Sequence, residues 1–401
     1  MKRYLPLLLL LALLSCTSEP APPQNLPTDW PALEASARGK TVDWMMWSGD
    51  PLINDYVQNF VAPAVRQRYG ITLNVVPGQG TVIVQTLLKE LEAGRETSAI
   101  DLCWINGETF YQLRQIDGLY GPWTERLPNA RYIDFANPFI GTDFQQPIAG
   151  YELPWGNVQM TVIYDSAKVA TPPCTRAELL AFVKANPGRF TWPTEFTGLT
   201  FLKALLIDIA GGGQALAGDF DETGYARYSK ELWTYVNQLK PYLWREGRTF
   251  PETLAALHQM FANGELWFTM SNNDVEVDNK IGEGLFPATA RAYVPDFGSI
   301  QNSHYLGITK LSDDKAAAMV VANFLISPEA QLRKADPAVW GDGTVYAVDR
   351  LPDSLRTAFQ NLPGRVHAPQ RAAIQANALQ ELAPEYMIRL AEDFRTQVIN
   401  R

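Results

Sequence analysis

The chain has 401 residues, of which 46% are hydrophobic and 19% are charged, so it has ample material for a folded core and lacks the composition of a disordered protein. This length favours two domains, or one unit with two lobes. The formal net charge is −9 and no long basic run occurs, which argues against nucleic-acid binding.

The start of the chain has the pattern of a lipoprotein export signal. Two basic residues precede an apolar run over residues 5–14, which is too short to span a bilayer because a span takes about 20 residues. The following LLSC resembles the bacterial lipobox, so we expect residues 1–15 to be removed and Cys16 to be acylated. A cleaved signal with an incidental cysteine is the alternative. Residues 16–38 begin rich in proline and predict a tether.

From residue 40, strand and helix patterns alternate. Predicted strands cover residues 41–47, 71–78 and 99–107, and each is followed by a predicted helix, at about 51–68, 81–92 and 108–115. Asp50 suits an N-cap, Pro51 suits the first helical position and Gly70 suits a helix stop. Such alternation predicts a parallel sheet with right-handed crossovers.

Cys103 and Cys174 lie far apart in the sequence, and we predict free thiols packed as small hydrophobes, with a disulfide as the alternative.

The pattern changes at about residue 150. A long extended stretch over residues 150–166 predicts a crossing from one lobe to another, and a second stretch over 293–310 predicts the return. Between them lie patterns for helices near 175–185, 196–209, 225–240 and 251–262, and for strands at 189–193 and 265–270. A helix pair interrupted at Pro328 and further helical material close the chain.

These elements predict an α/β protein with two lobes, each a mainly parallel sheet flanked by helices, joined by two or more crossings. We assign residues 39–155 and 299–335 to the first lobe, and residues 156–298 and 336–401 to the second.

Several strings resemble the extracellular solute-binding proteins (family 1) of ABC importers. They are the lipoprotein signal, PWGNVQMTVIYDS at 154–166, NGELWFTMSNND at 263–274 and FLISPEAQ at 324–331. More narrowly, VDWMMWSGD, WINGETF, GPWTERLPN and PGRFTWP resemble the YnjB-like periplasmic components. The resemblance covers about residues 40–400. It implies a two-lobed, hinge-closing type II periplasmic-binding fold outside the cytoplasm, and delivery of a small solute to membrane permease subunits that a cytoplasmic ATPase drives.

Candidate ligand-binding residues lie where predicted strands end and helices begin, and at the first crossing. In open parallel sheets, ligands bind beyond the carboxyl ends of the strands. The candidates are Trp47, Ser48, Asp50, Asn106, Glu108, Trp155, Asn157, Glu195, Phe196, Thr197, Asn272 and Asn273. Each has a structural alternative, such as helix capping by Asp50 or core packing of Trp47 and Trp155, so only the conjunction indicates a site.

The charges in these turns bear on the class of solute. Four carboxylates, Asp50, Glu108, Glu195 and Asp274, fall in them together with aromatic side chains, whereas Arg and Lys are absent from them. This balance disfavours an anion. It favours an organic cation, thiamine-like or polyamine-like, which carboxylates and aromatic faces bind, with a polyol or sugar second.

Two other classes of protein remain open. A secreted hydrolase could use paired carboxylates such as Glu108 and Glu195, if these are held about 5–9.5 Å apart. Serine-hydrolase, zinc-protease and nucleotide-binding motifs are absent, and the three histidines are widely separated, so we expect no catalysis, metal or cofactor. An adhesive or structural lipoprotein would show no solute-driven closure. We expect a monomer that binds no nucleic acid.

Overall fold

A computed structural model describes residues 26–400, so the predicted signal, Cys16 and most of the tether lie outside the described residues. The strands are β1 (Thr41–Met46), β2 (Thr72–Pro77), β3 (Leu102–Ile105), β4 (Thr142–Asp143), β5 (Gln146–Pro147), β6 (Glu152–Gln159), β7 (Thr161–Asp165), β8 (Phe268–Ser271), β9 (Ala290–Tyr293), β10 (Ser299–Ile308) and β11 (Ala378–Leu379).

The α-helices are α1 (Trp30–Ser36), α2 (Pro51–Asp55), α3 (Ala62–Tyr69), α4 (Thr81–Glu92), α5 (Glu108–Gln115), α6 (Pro138–Gly141), α7 (Arg176–Ala185), α8 (Phe196–Ile209), α9 (Glu222–Leu239), α10 (Leu254–Ala262), α11 (Glu276–Gly282), α12 (Lys315–Leu325), α13 (Pro328–Ala335), α14 (Asp353–Gln360), α15 (Arg371–Ile374) and α16 (Pro384–Phe394). A π-helical turn, Tyr56–Val61, joins α2 to α3, and the combined helix ends at Gly70, whose φ of +67° suits glycine.

The first lobe is built on a sheet with helices on both faces. β1 pairs in parallel with β2 and with β3, as predicted, and β10 adds to β3 in antiparallel. On one face, Leu33, Val57 and Val320 pack in a core with β1. On the other face, Ile83 and Leu113 pack against Met45 and Cys103 of the sheet. Both faces are therefore covered, which explains the continuous apolar run of β1.

The second lobe has a smaller sheet in the order β8–β7–β9, and both pairings are antiparallel. This differs from the mainly parallel sheet expected there, because alternating strand and helix patterns do not encode the direction in which a strand enters the sheet. Helix α8 runs through the core, with all side chains from Thr197 to Ile207 buried. The predicted strand at 189–193 is wrong, since Phe190 and Trp192 pack into this core from a loop.

The two lobes are joined by the long antiparallel strands β6 and β10, within the segments predicted as crossings. Every residue of β6 is buried. The register shifts between His304 and Tyr305, opposite Gly156, and a Cβ at position 156 would collide with the side chains of His304 and Asp342. Glycine at this position is therefore required by close packing across the crossing.

The end of the chain is shared between the lobes. Trp340, Val345, Tyr346 and Leu351 pack in the core of the first lobe, whereas the side chains of α16 pack in the core of the second. The sequence-based assignment of all of residues 336–401 to the second lobe is therefore wrong over this first part. Loops and short helices predominate between α13 and α14, so no hydrophobic period indicates which core they join.

Cys103 and Cys174 are both free, as predicted. Burial raises the pKa of the Cys103 thiol to about 12, which makes it a poor nucleophile.

Within residues 26–400, no helix is long and apolar enough to cross a membrane. The same residues contain no group of three or more His, Cys, Asp or Glu side chains that could hold a metal ion.

Candidate functional site

The first-lobe edge of the candidate site is formed by the turns that follow β1 and β3. These strands are parallel neighbours, so their carboxyl ends and the turns after them lie side by side. Trp47 is 38% exposed, and Ser48, Asn106 and Glu108 are half-buried. Four of the predicted residues are thus accessible on one edge of the first lobe.

Asp50, in the same turn, has a partner for each carboxylate oxygen. Its Oδ1 accepts hydrogen bonds from the backbone N–H groups of Leu52 (2.8 Å) and Ile53 (3.2 Å), which caps α2. Its Oδ2 lies 3.0 Å from Nζ of Lys280 on α11 of the second lobe. The capping interpretation is confirmed, and the residue also makes an ion pair between the lobes.

Glu108 differs from Asp50 because its carboxyl group makes no hydrogen bond to any other described residue. It is half-buried in the first turn of α5. Burial raises its pKa, the Lys203 ammonium opposes that rise, and the Glu381 carboxylate adds to it. Beside it, the N–H of Gly107 donates to Oδ2 of Asp143 at 2.5 Å, and burial raises the pKa of Asp143 to about 8.

Lys203 is a cation that the sequence analysis missed. It lies within α8, fully buried, and forms an ion pair with Glu381. Its Nζ is 4.4 Å from the ring centroid of Phe144 and 5.4 Å from that of Phe196. The signal was present, since Lys203 is the one charged residue in the otherwise apolar or polar run from Phe196 to Ile207. A lone charge on a buried helix face indicates a partner.

The second-lobe edge consists of the start of α8 and the turn after β8. The Glu195 carboxylate accepts a hydrogen bond from the backbone N–H of Leu254 and so ties α8 to α10. Thr197 Oγ1 accepts a hydrogen bond from Nδ2 of Asn272 at 3.0 Å, which brings these two predicted residues together. Asn273 stabilises its own turn, since its Oδ1 accepts from the N–H of Val275 at 3.3 Å.

Asp274 closes this turn as a fully buried ion. Its carboxylate contacts Arg365 at 2.5 Å and Arg371 at 2.9 Å. Burial opposes its ionisation, but the Arg371 and Arg365 guanidinium groups outweigh that effect and lower the pKa to about 2. Asp274 is therefore a carboxylate whose charge the protein itself neutralises.

The two predicted residues of the first crossing are structural. Trp155 is fully buried, with its ring 4.9 Å from that of Trp104 and 5.5 Å from that of Trp340, so the core-packing interpretation holds and no face is open to a solute. Asn157 is buried and bonded, since it accepts from Gln301 at 2.7 Å and donates to Ser303 at 3.0 Å. Neither is retained among the proposed ligand contacts.

Two series of contacts join the turns of the two lobes. In the first series, the Lys203 ammonium lowers the pKa of Glu108 and lies near the ring of Phe196. Thr197, the next residue along α8, is hydrogen-bonded to Asn272. The second series runs from Asp50 through Lys280 to Glu276 and Asn273. Glu195 and Asn273 are left out of the candidate set because their side chains are bonded within the second lobe. We call the other predicted residues at the two edges the interlobe site: Trp47, Ser48, Asn106, Glu108, Phe196, Thr197 and Asn272.

The charge argument made from the turns alone needs correction. Cations absent from those turns reach the region from distant parts of the chain: Lys203, Lys280, Arg365 and Arg371. Asp50, Glu195 and Asp274 are each engaged by protein groups, and Glu108 alone of the four carboxylates has no hydrogen-bond partner within residues 26–400.

Comparison with known proteins places this architecture in a family. A sequence profile described as bacterial extracellular solute-binding protein matches residues 55–348. Protein YnjB of Escherichia coli K12 is 38% identical over 366 residues, which cover 90% of this chain and 94% of that protein.

Solved structures share the fold at low identity. A spermidine/putrescine ABC transporter substrate-binding protein from Streptococcus pneumoniae has a TM-score of 0.63 at 13% identity, over 90% of this chain and 99% of that one. The fructose-6-phosphate-bound AfuA of Actinobacillus pleuropneumoniae has a TM-score of 0.60 at 12% identity, over 90% and 99%. Iron-bound HitA of Pseudomonas aeruginosa has a TM-score of 0.58 at 14% identity, over 88% and 98%. The chain belongs to the bacterial extracellular solute-binding proteins, the substrate-binding components of ABC transporters, and has their two-lobed periplasmic-binding fold.

Proposed function

We propose that this protein is the receptor of an ABC importer that binds a small organic cation at the interlobe site. Acylated Cys16 anchors it to a membrane outside the cytoplasm, and it works as a monomer that performs no catalysis. A solute with higher affinity for the closed lobes shifts the equilibrium towards closure. The closed form then delivers the solute to the permease subunits, which a cytoplasmic ATPase drives.

The observation that supports the choice of a cation is that the Glu108 carboxyl group has no hydrogen-bond partner within residues 26–400. The Lys203 ammonium is paired with Glu381, and its field also lowers the pKa of Glu108 and of Asp143. Burial raises both pKa values more than Lys203 lowers them, and within residues 26–400 no cation forms an ion pair with Glu108. A bound organic cation would pair with Glu108 and lower both pKa values.

Aromatic side chains support the same choice. Trp47 has an exposed ring at the first-lobe edge, and Phe196 is half-buried at the second. A cation over such a face gains about 0.5–2 kcal/mol. Thiamine-like molecules and polyamines combine positive charge with a shape that aromatic faces contact. The spermidine/putrescine binder noted above has the same fold, although identity of 13% carries no ligand assignment by itself.

A polyol or sugar is the second candidate. Ser48, Asn106 and Asn272 offer a hydroxyl and two amides at the interlobe site, and these groups match the alternating donors and acceptors of a sugar. The hydrolase alternative is weakened by the Glu195 carboxylate, which is already bonded to the backbone of Leu254 and so is a poor partner for Glu108.

Thermal unfolding of the full chain in detergent tests the class of solute. The panel contains putrescine, spermidine and thiamine as cations, sorbitol and glucose as polyols, and fructose 6-phosphate as an anion. A solute at 100 times its Kd stabilises the folded state by about 2.7 kcal/mol, which for a chain of this size shifts Tm by several degrees.

We expect a cation to raise Tm. Glu108→Gln should abolish this shift, and Glu195→Gln should leave it unchanged. A shift with a polyol that survives Glu108→Gln would support the second candidate. A shift with the anion alone would overturn the charge argument.

A further inference from the structure

Lys280 belongs to the second lobe and Asp50 to the first. Next to Lys280 on α11, Val277 packs in a core with Ile163 of β7 and Phe286. Asp50 begins α2, whose Ile53 packs in the core of the first lobe. Their ion pair therefore crosses the interface that must open and close around a solute.

The ammonium group of Lys280 lies among three carboxylates. Its Nζ is 3.0 Å from Asp50 Oδ2, 3.0 Å from Glu283 Oε1 and 3.6 Å from Glu276 Oε1. The Lys280 side chain is only 8% exposed. Water and salt screen such a pair much less than they screen a surface ion pair.

The three carboxylates differ in what happens when the lobes separate. Glu276 and Glu283 lie on or next to α11, four residues before and three residues after Lys280, and travel with it. Asp50 stays with the first lobe, where it still accepts from Leu52 and Ile53. Opening therefore breaks one charged contact and leaves each former partner with other bonds, so the contact is reversible.

The pair lies within a wider contact patch. Nδ2 of Asn279 donates to the carbonyl oxygen of Trp340 at 2.8 Å. Val275, just before α11, packs closely on Gly341. A Cβ added at residue 341 would lie 2.5 Å from Cγ1 of Val275. Helix α11 thus sits on the first lobe by shape and by neutral hydrogen bonding, and the Lys280–Asp50 pair adds the charged contact.

We infer that the Lys280–Asp50 ion pair is a latch that holds the two lobes together in the absence of solute. With the latch engaged, the solute supplies less of the free energy of closure, so its apparent affinity rises. The purpose of the latch rests on the proposed function. The latch is tested without solute, by distances between labels on the two lobes, whereas the class of solute is tested by thermal unfolding. Failure of one proposal is therefore distinguishable from failure of the other.

Distances between spin labels on the two lobes measure the latch directly. Labels at Lys89→Cys on α4 and Gln259→Cys on α10, both exposed positions, report the separation of the lobes in the full chain with Cys174→Ser. Lys280→Met keeps the aliphatic stem and removes the charge. Asp50→Asn keeps an oxygen that caps α2 and removes the charge.

We expect each variant to lower the ratio of short to long label distances by about tenfold, the factor that corresponds to one charged hydrogen bond. Arg176→Gln is the matched control, because it removes an ion pair with Asp208 inside the second lobe and should leave the ratio unchanged. If Lys280→Met does not fold, as judged by circular dichroism, Asp50→Asn decides.

Chemical rescue separates a latch from a packing effect. Lys280→Ala lacks three carbons and the ammonium group, which n-propylammonium supplies. Adding it should restore the short distance in Lys280→Ala and change neither the wild type nor Asp50→Asn. An unchanged distance ratio in folded Asp50→Asn, an equal change in Arg176→Gln, or a failure of rescue would overturn the latch.

Discussion

The two edges of the interlobe region bury carboxylates to similar depths and treat them in opposite ways. At the first-lobe edge, burial raises the pKa of Asp143 to about 8, and one backbone N–H is its hydrogen-bond donor among the described residues. At the second-lobe edge, Asp274 is equally buried, yet two guanidinium groups lower its pKa to about 2. The partners, and not the depth of burial, decide whether a buried carboxyl group carries charge.

This difference indicates where a solute can contribute. At the second-lobe edge, Arg365 and Arg371 already neutralise the carboxylate, so a cation gains little there. At the first-lobe edge, the carboxyl groups of Glu108 and Asp143 share the field of one lysine, Lys203. A cationic solute is therefore expected to bind the first lobe more strongly than the second.

The largest expected effect follows from removing the charge at the second-lobe edge. Asp274→Asn leaves the Arg365 and Arg371 guanidinium groups facing each other without a counter-charge, so we expect the free energy of unfolding to fall by about 3–5 kcal/mol. Urea denaturation at pH 7 measures this loss. Glu222→Gln, which breaks an exposed ion pair with Arg389, should cost no more than about 1 kcal/mol. Equal losses in both variants would contradict the comparison.

A smaller effect concerns pH and the first-lobe edge. Because the folded-state pKa of Asp143, about 8, lies above its ordinary value of 3.8, the folded protein holds this proton more tightly than the unfolded chain does. The stability it contributes is complete below about pH 4 and is lost as pH rises towards 8. The slope from this residue is at most about 1.4 kcal/mol per pH unit.

Asp143→Asn tests this pH dependence, because the amide oxygen can still accept from Gly107 and no longer titrates. Urea denaturation at pH 5 and at pH 7.5 should show a smaller loss of stability in the variant than in the wild type. Asp274 has the opposite sign, and its contribution is lost only as pH falls from about 4 through 2. An identical pH dependence in the variant would show that Asp143 is ionised in the folded protein.

The smallest expected effect is at Glu152, which is fully buried in β6. Neither of its carboxyl oxygens has a hydrogen-bond partner within residues 26–400, and burial raises its pKa well above the ordinary value. Glu152→Gln replaces a neutral acid by a neutral amide, so the free energy of unfolding at pH 7 should change by no more than about 1 kcal/mol. A loss above 3 kcal/mol in urea denaturation would indicate that a paired carboxylate had been removed.

Much of the fold could be predicted because local signals agree with it. The cap at Asp50, the stop at Gly70 and the helix start at Glu108 lie where the sequence predicts them. The antiparallel sheet of the second lobe and the lobe of residues 340–351 could not be predicted, because strand direction and the choice between two cores depend on distant contacts.

The positions of the candidate residues on the two lobes could be predicted from the sequence more readily than the partners of their charged groups. Thr197 lies in the first turn of α8 and Asn272 directly after β8, and their side chains are hydrogen-bonded. The partners of Asp50 and Asp274 were missed, because Lys280 and Arg371 lie about 230 and 97 positions away in sequence. Turn composition identifies which side chains reach the edge of a lobe, and tertiary structure decides which of them are still free to bind a solute.

The most direct test of the proposed solute site is calorimetric titration of the cation that gives the largest Tm shift. The titration compares the wild type with Glu108→Gln and with Glu195→Gln. Glu195→Gln is the control, because the Glu195 carboxylate is already bonded to the backbone of Leu254. We predict that Glu108→Gln raises Kd at least about tenfold, the loss of one charged hydrogen bond, and that Glu195→Gln leaves Kd nearly unchanged. An unchanged Kd in Glu108→Gln would contradict the assignment of this carboxylate to the solute.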